Sequence, residues 1–591
     1  MAFPSGARRS TTEGVQKSSP AAGSIAADRS YEHRCRLVLI VLALAMFVLL
    51  CLLSGKPVTW PFDHFSDMNV LMSGENFAAQ GFARLHFLPV HFIGQISDQA
   101  GYYTYYTHYP PLPNLVNGLM RKVGIESLPA MRILCGCLFI AGLICMYLAF
   151  EPIIGPRPAL LGVGFLATTG YYLSYCMSLH QHTYNCFFLG VFFISFLRGV
   201  HRDHGFVRFA IVCWPALFLA SLASFEFILY AQAFAWVYVL AAGRFRRQWR
   251  FLVVMAAAPV AGIGLHFLQI VWALGWSEAL ADNLGFNHIR GGLAGLQDRW
   301  QTLQNMPAFV QEQSQHLYFW PAQAILLAAF LWLVLASREP PGTMAARRSG
   351  ALLIALLVAS VTWFLAMPYH AVRHPHTMGQ LLPLVMVAMG GTMALVARWF
   401  FGPGTPVHQR CLAALVMVVV LFGQVQTLLS ASKGQRDFLA TLAEAIGPDA
   451  FPPRVGILSN AGFPAQCGYF LRRPWWLVPN TDAIPPVPFP DALPALQGHL
   501  APGWQIRYYL FATWGDRSPF AALAAACPGR KLALPGTQNF LVLFDISSLH
   551  LPPEKRPPLD PQVRAGQRRG EFPDWQIPGF GQRWARLTQD R

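Results

Sequence analysis

A train of apolar stretches, each about as long as a bilayer is thick, restricts this chain more than any other feature. A helix needs roughly 20 apolar residues to cross about 30 Å of hydrocarbon. About eleven such stretches run along the sequence, near 35–54, 131–150, 158–175, 182–198, 208–224, 226–243, 251–274, 320–336, 350–367, 377–397 and 411–430. The run 208–243 is continuous in hydropathy and is divided at Ser224–Glu226. Charged residues make up only 12% of the 591. A soluble domain carries about 25%. A large soluble enzyme and a disordered chain are therefore both excluded.

Basic residues give the spans a direction. With the N-terminus inside, the inside connections hold Arg157, then Arg198, Arg202 and Arg208, then Arg244, Arg246, Arg247 and Arg250, then Arg338, Arg347 and Arg348, then Arg398 and Arg410. The short outside connections near 176–181 and 224–226 hold no Lys or Arg. This is the positive-inside pattern, and it accounts for a net charge of +16 without invoking nucleic acid. About 34 polar residues precede the first span and no small-residue cleavage site follows it, so a retained span is expected rather than a signal peptide. The expected fold is a polytopic α-helical membrane protein with about eleven transmembrane helices. Residues 1–34 are expected to form a disordered cytoplasmic tail. The larger polar pieces, 55–130, 275–319 and 431–591, fall outside.

The tail 431–591 has a different composition. Short β-like runs at Arg454–Leu458, Tyr469–Leu477, Tyr508–Ala512 and Phe540–Phe544 alternate with helical stretches near 435–446 and 519–526, and a basic, Pro-rich end follows. A small soluble α/β domain is expected there. The 11 Cys follow no metal-ligand spacing.

The first outside loop carries the chemistry. Asp67 to Ala79 has helical spacing, with Met68, Leu71, Met72 and Phe77 on one apolar face, as in a helix lying in the interface plane. Asp63 and Asp67 stand before this helix or in its first turn. Such an acid can cap a helix. Held near lipid, it can also serve as a general base toward a hydroxyl. The segment His108-Tyr109-Pro110-Pro111-Leu112-Pro113 follows, and its prolines either present His108 and Tyr109 to a site or simply lead into a second surface helix, Leu115–Val123.

An acid before a surface helix, then Glu75, Asn76 and Gly81, then the YPPLP segment before the second span: this order resembles the GT-C glycosyltransferases. The similarity is to their protein O-mannosyltransferase and aminoarabinose-transferase branch, with the bacterial RgtA/B/C/D-like and family 39 enzymes, and it extends over roughly 35–430. It implies an integral-membrane enzyme that takes a sugar from a polyprenyl-phosphate donor. The site would lie at the outer face of the cytoplasmic membrane, and a hydroxyl on a glycan, lipid or protein would be the acceptor. It implies the base role for Asp67 first and Asp63 second. Where the family often has Asp-Glu, this chain has Ser66-Asp67.

The donor phosphate needs cations or N–H donors. The loop MPYHAVRHPHTMGQ offers His370, Arg373, His374 and His376, with Arg373 the best suited because its guanidinium stays charged and binds phosphate through two donors. The resemblance implies a phosphate-holding base at this place. Histidines so close leave a divalent metal open, but no cofactor is assigned, and amphipathic anchoring at a span end is the plain alternative. His180, Gln181, His182 and Asn185 begin the fourth span and Glu226 the sixth. Polar groups in such positions usually face an interior cavity, so His180, His182 and Glu226 join His108, Tyr109 and Arg290 as candidate substrate contacts. Capping and interhelical hydrogen bonds are the alternative. No Walker A loop, GxSxG or HExxH is present. A multispan transporter or flippase of a lipid-linked glycan is the competing class. It predicts inverted repeats and polar groups at mid-membrane, and neither is evident.

Overall fold

The structure is a computed structural model that describes residues 22–56, 64–90, 105–107, 109–201, 206–281, 283, 296–318, 344–401, 406–407, 451–452, 454–459, 475–477, 503, 505–512, 527, 529–533 and 540–547. Its helices run α1 (Ala22–Ser54), α2 (His64–Gln80), α3 (Leu112–Lys122), α4 (Leu128–Ile154), α5 (Pro156–Ala167), α6 (Gly170–Tyr175), α7 (Gln181–His201), α8 (Phe206–Ser221), α9 (Phe225–Ala241) and α10 (Phe245–Leu274). They continue as α11 (Leu296–Tyr318), α12 (Met344–Ala366), α13 (Pro368–Arg373), a 3-10 helix (Pro375–Leu381) and α14 (Leu382–Phe401).

Among the described residues, six segments are long and apolar enough to cross a membrane: Ser30–Ser54, Leu128–Ile154, Gln181–His201, Phe245–Leu274, Arg348–Ala366 and Pro375–Ala397. They coincide with six of the expected spans, but α1 already begins at Ala22, so the end of the stretch 1–34 expected to be disordered is helical; residues 1–21 lie outside the described residues. The expected 208–224 and 226–243 are the shorter apolar helices α8 and α9, divided where the Ser224 hydroxyl caps α9 by accepting from the Glu226 N–H at 3.2 Å. The expected 158–175 is not one helix. It breaks between α5 and α6, where Thr168 and Thr169 turn their hydroxyls back onto the carbonyls of Phe165 (2.8 Å) and Leu166 (2.7 Å). Adjacent hydroxyls that compete for backbone acceptors end the helix, and Thr169 then caps α6 by accepting from the Tyr172 N–H. The expected spans 320–336 and 411–430 lie outside the described residues.

The bundle closes on small residues. A Cβ at Gly142 of α4 would collide with the carbonyl of Cys186 in α7, and one at Gly190 with the carbonyl of Gly142. Gly162 of α5 and Gly390 of α14 form a second such pair, backed by the carbonyls of Met386 and Pro158. Without a water-driven hydrophobic force between helices, close backbone approach supplies the packing. Aromatic rings fill the spaces between, with Phe193 of α7 edge-on to Phe234 of α9 at 4.7 Å.

The helix expected to bury one apolar face in the interface buries more than that face within the protein. Every residue from Ser66 to Gly74 of α2 is buried, not one face only. Gly74 presses on Asn117 of α3, and Phe77 packs against Gly118. Polar positions Asp67, Asn69 and Ser73 are thus enclosed by protein. The sequence pattern marks one apolar face but not what covers the other.

Past the helices lies a five-stranded sheet of β1 (Val455–Ser459), β2 (Trp475–Leu477), β3 (Gln505–Ala512), β4 (Gly529–Ala533) and β5 (Phe540–Asp545), in the order β2-β1-β3-β5-β4. β1 runs parallel to β2 and β3, and β5 runs antiparallel to β3 and β4. The strand β4, Gly-Arg-Lys-Leu-Ala, was not expected, since its two cations hide any alternation. The helical stretches expected at 435–446 and 519–526 lie outside the described residues.

Candidate functional site

Four helix termini meet around one polar cluster. The start of α7 brings His180, Gln181 and His182, the start of α9 brings Glu226, the end of α12 brings Trp363, and the turn through α13 and the 3-10 helix brings His370, His374 and His376. His180, Gln181, His182 and Glu226 stand at or beside helix starts, where backbone groups already need partners.

Glu226 is its centre. It is buried, its Oε1 accepts from Gln181 Nε2 at 3.2 Å, and it lies 3.4 Å from His376 Nε2 and 3.9 Å from His370 Nε2. Gln181 Nε2 is 3.4 Å from the same His376 nitrogen. His370 is held from both sides: Trp363 Nε1–H donates to its Nδ1 at 3.3 Å, and its Nε2 shares a hydrogen bond with the Tyr109 hydroxyl. Imidazole rings continue outward, with His374 at 4.4 Å from His370, His182 at 4.6 Å from His376, and His180 edge-on to Tyr109 at 5.8 Å. A small cavity opens beside the cluster, lined by His182, Asn185, Glu226, His376 and Gln380 among others.

Asp67 joins this region through another segment. Its Oδ1 accepts from the Ser178 hydroxyl at 3.0 Å and the Leu179 N–H at 2.8 Å, and the Ser178 hydroxyl also accepts from the His180 N–H at 3.2 Å. Asp67 therefore fixes the turn that carries His180, Gln181 and His182 instead of capping its own helix with these bonds. It does not line the cavity.

The motif residues divide between two uses. Asn76 donates to the carbonyl of Val90 at 2.8 Å, and Gly81 ends α2 at φ +95°, where a side chain would be strained. Both shape the loop. The prolines after Tyr109 do lead into a helix, which starts at Leu112, and the same turn delivers Tyr109 to His370. Asp63, His108 and Arg290 lie outside the described residues, as does the side chain of Arg373. Sequence reasoning grouped His376 with its loop but did not select it, and it gave no role to Ser178 or Trp363. Only His376 carried a signal, as one histidine of a cluster at a span end.

This is a multi-pass membrane protein with the fold of the GT-C glycosyltransferases. Two solved structures illustrate the likeness. ArnT from Cupriavidus metallidurans bound to undecaprenyl phosphate matches with a TM-score of 0.52 at 14% identity, covering 90% of this chain and 100% of that one. The oligosaccharyltransferase of Archaeoglobus fulgidus tethered to an acceptor peptide matches with a TM-score of 0.50 at 12% identity, covering 88% and 75%. No family model and no curated protein sequence matches the chain. At these identities the likeness concerns the fold alone.

Proposed function

We propose that this protein is an integral-membrane glycosyltransferase. It moves a sugar from a polyprenyl-phosphate donor to a hydroxyl of an envelope glycan, lipid or protein at the outer face of the cytoplasmic membrane. The observation that carries the proposal is the joining of Asp67, through 178–180, to a buried cluster of histidines, Glu226 and Tyr109 at the helix termini of a GT-C bundle. The fold neighbour holding undecaprenyl phosphate supports a lipid-linked donor.

In this reading Asp67, or in second place Asp63, takes the proton from the acceptor hydroxyl. The acceptor oxygen attacks the anomeric carbon, and the bond from that carbon to the phosphate oxygen breaks. Polyprenyl phosphate leaves with the electron pair, and configuration inverts. Arg373, His374 and His370 hold the phosphate. His108, Tyr109, His180, His182, Glu226 and Arg290 line the sugar's place. Phosphate is a good leaving group, so no strong general acid is required.

The test is mass spectrometry of lipids and envelope glycans from a strain lacking the gene. A polyprenyl-phosphate sugar that accumulates, together with one acceptor that loses its sugar, names both substrates. Unchanged lipids and glycans would remove the transferase reading.

A further inference from the structure

We infer that Glu226, His376, Gln181 and His370 form a binding site for one divalent transition-metal ion of the Zn²⁺ type. The inference stands apart from the transferase reading, since ion binding can be measured with no donor or acceptor present.

The argument begins with spacing. Donor atoms at about 2.0–2.1 Å from a tetrahedral zinc stand about 3.3 Å from one another. Here Glu226 Oε1, His376 Nε2 and the Gln181 amide nitrogen form a triangle with sides of 3.2, 3.4 and 3.4 Å. His370 Nε2 is a fourth corner, 3.9 Å from the same carboxylate oxygen. Single ligand atoms of Glu226, His370 and His376 all lie within 4.8 Å of one another, and all three residues are buried. Two imidazoles and one carboxylate suit zinc-like ions, whereas magnesium and calcium prefer oxygen alone.

The amide of Gln181 supplies the second observation. Its side chain is 0% exposed, and its Oε1 has no hydrogen-bond partner among the described residues. Amide oxygen and nitrogen exchange places by a half-turn. With Nε2 inward the amide donates to Glu226, leaving Oε1 without a partner among the described residues. With Oε1 inward, two oxygens would face each other at 3.2 Å, and only a cation between them makes that favourable. The side chain is therefore built to face the centre in either state, and the orphaned atom is a ligand in one of them.

His370 carries the opposing term. An indole N–H can only donate, so Trp363 requires the lone pair of His370 Nδ1, and a neutral ring then keeps its proton on Nε2. An ion at Nε2 would move that proton to Nδ1, against the indole N–H. Histidine ligands ordinarily donate their second N–H to an acceptor. Trp363 thus weakens the fourth ligand, and its removal should strengthen the site.

The experiment uses the full-length protein purified in detergent, stripped with a chelator and reloaded with Zn²⁺, Co²⁺ or Mg²⁺. Elemental analysis should give one zinc per chain, and cobalt should show the intense visible bands of four-coordinate nitrogen–oxygen ligation. Mg²⁺ should not compete. Glu226→Gln and His376→Ala should each lower affinity beyond the about 10–100-fold typical of partners outside the ligand set. Trp363→Phe should raise affinity about five-fold, the worth of one lost hydrogen bond. His266→Ala, outside the cluster, should change nothing. Wild-type protein without stoichiometric zinc or cobalt bands overturns the inference, and so does unchanged affinity in Glu226→Gln or His376→Ala. If those two variants fail to purify, the wild-type cobalt spectrum and Trp363→Phe decide alone.

Discussion

Asp67 stands in the first turn of α2, yet its carboxylate reaches across to the turn before α7. Two donors fix it there, so Asp67→Asn keeps the shape and removes the charge. Sugar transfer should fall by about 10²–10⁴-fold, the usual worth of a general base, while the protein remains monodisperse and its Tm shifts little. Near-normal transfer by that variant would dismiss Asp67 as the base. Ser178→Ala removes one of the two donors and should lower kcat several-fold with KM unchanged, at a stability cost of about 1 kcal/mol. These residues also show what a sequence reveals of a site. His180, His182, Glu226 and His370 were legible because polar side chains at the ends of apolar runs are costly and therefore purposeful. Ser178 and Trp363 were not, since their importance comes from partners 111 and 7 positions away that only folding brings to them. Spacing alone suggested an N-cap for Asp67, because local spacing cannot reveal donors such as the Ser178 hydroxyl and Leu179 N–H that only the tertiary fold brings to it.

Helices were readable as lengths of hydropathy, and their contacts were not. Nothing in the run 158–175 marks Thr168–Thr169 as a break, because both hydroxyls find carbonyls only once the chain turns. The pairing of Gly142 with Gly190, or Gly162 with Gly390, is likewise invisible to a hydropathy scan. It can be tested by the smallest change. Gly190→Ala puts one methyl against the Gly142 carbonyl and should destabilise by about 1–3 kcal/mol, the range for overpacking. Thermal unfolding in detergent should show the drop, and Gly264→Ala, which meets open space, should show none. In the sheet, Arg507 of β3 and Asp545 of β5 make two hydrogen bonds at 2.9 and 3.1 Å. Burial alone would raise the Asp545 carboxyl, but donors from Ser547 and Arg507 outweigh it and hold the group below its ordinary range. A carboxyl lowered in the folded state stabilises above its unfolded value, near pH 4, and that contribution disappears as pH falls through the folded value. Asp545→Asn should therefore cost under about 1 kcal/mol at neutral pH, since the pair is partly exposed. The difference from wild type should close below about pH 4.

The whole molecule is polarised, and four helices show it independently. α7 begins with the site residues and carries Arg198 near its other end, about 24 Å away at 1.5 Å per residue. α9 begins with Glu226 and is followed by Arg244, α12 ends near Trp363 and starts with Arg347 and Arg348, and α14 follows the histidine turn and carries Arg398 near its end. In these four helices the site residues stand at one end and the flanking arginines at the other, and Arg373 of the histidine turn is the arginine kept on the site side. Arginines favour the cytoplasmic side, so the proposed function requires the cluster to face away from it, where a lipid-linked donor would have to be presented. A transporter would instead gather its polar groups at mid-membrane. Single cysteines placed in a background without exposed native thiols test the arrangement. Val123→Cys, exposed after α3 near the site end, and Gln505→Cys, exposed on β3, should react with a membrane-impermeant maleimide in intact spheroplasts. Arg246→Cys, exposed at the start of α10, should react only after permeabilisation. The reverse labelling would turn the cluster toward the cytosol and remove the extracytoplasmic transferase from consideration, however well Asp67 and Glu226 are placed.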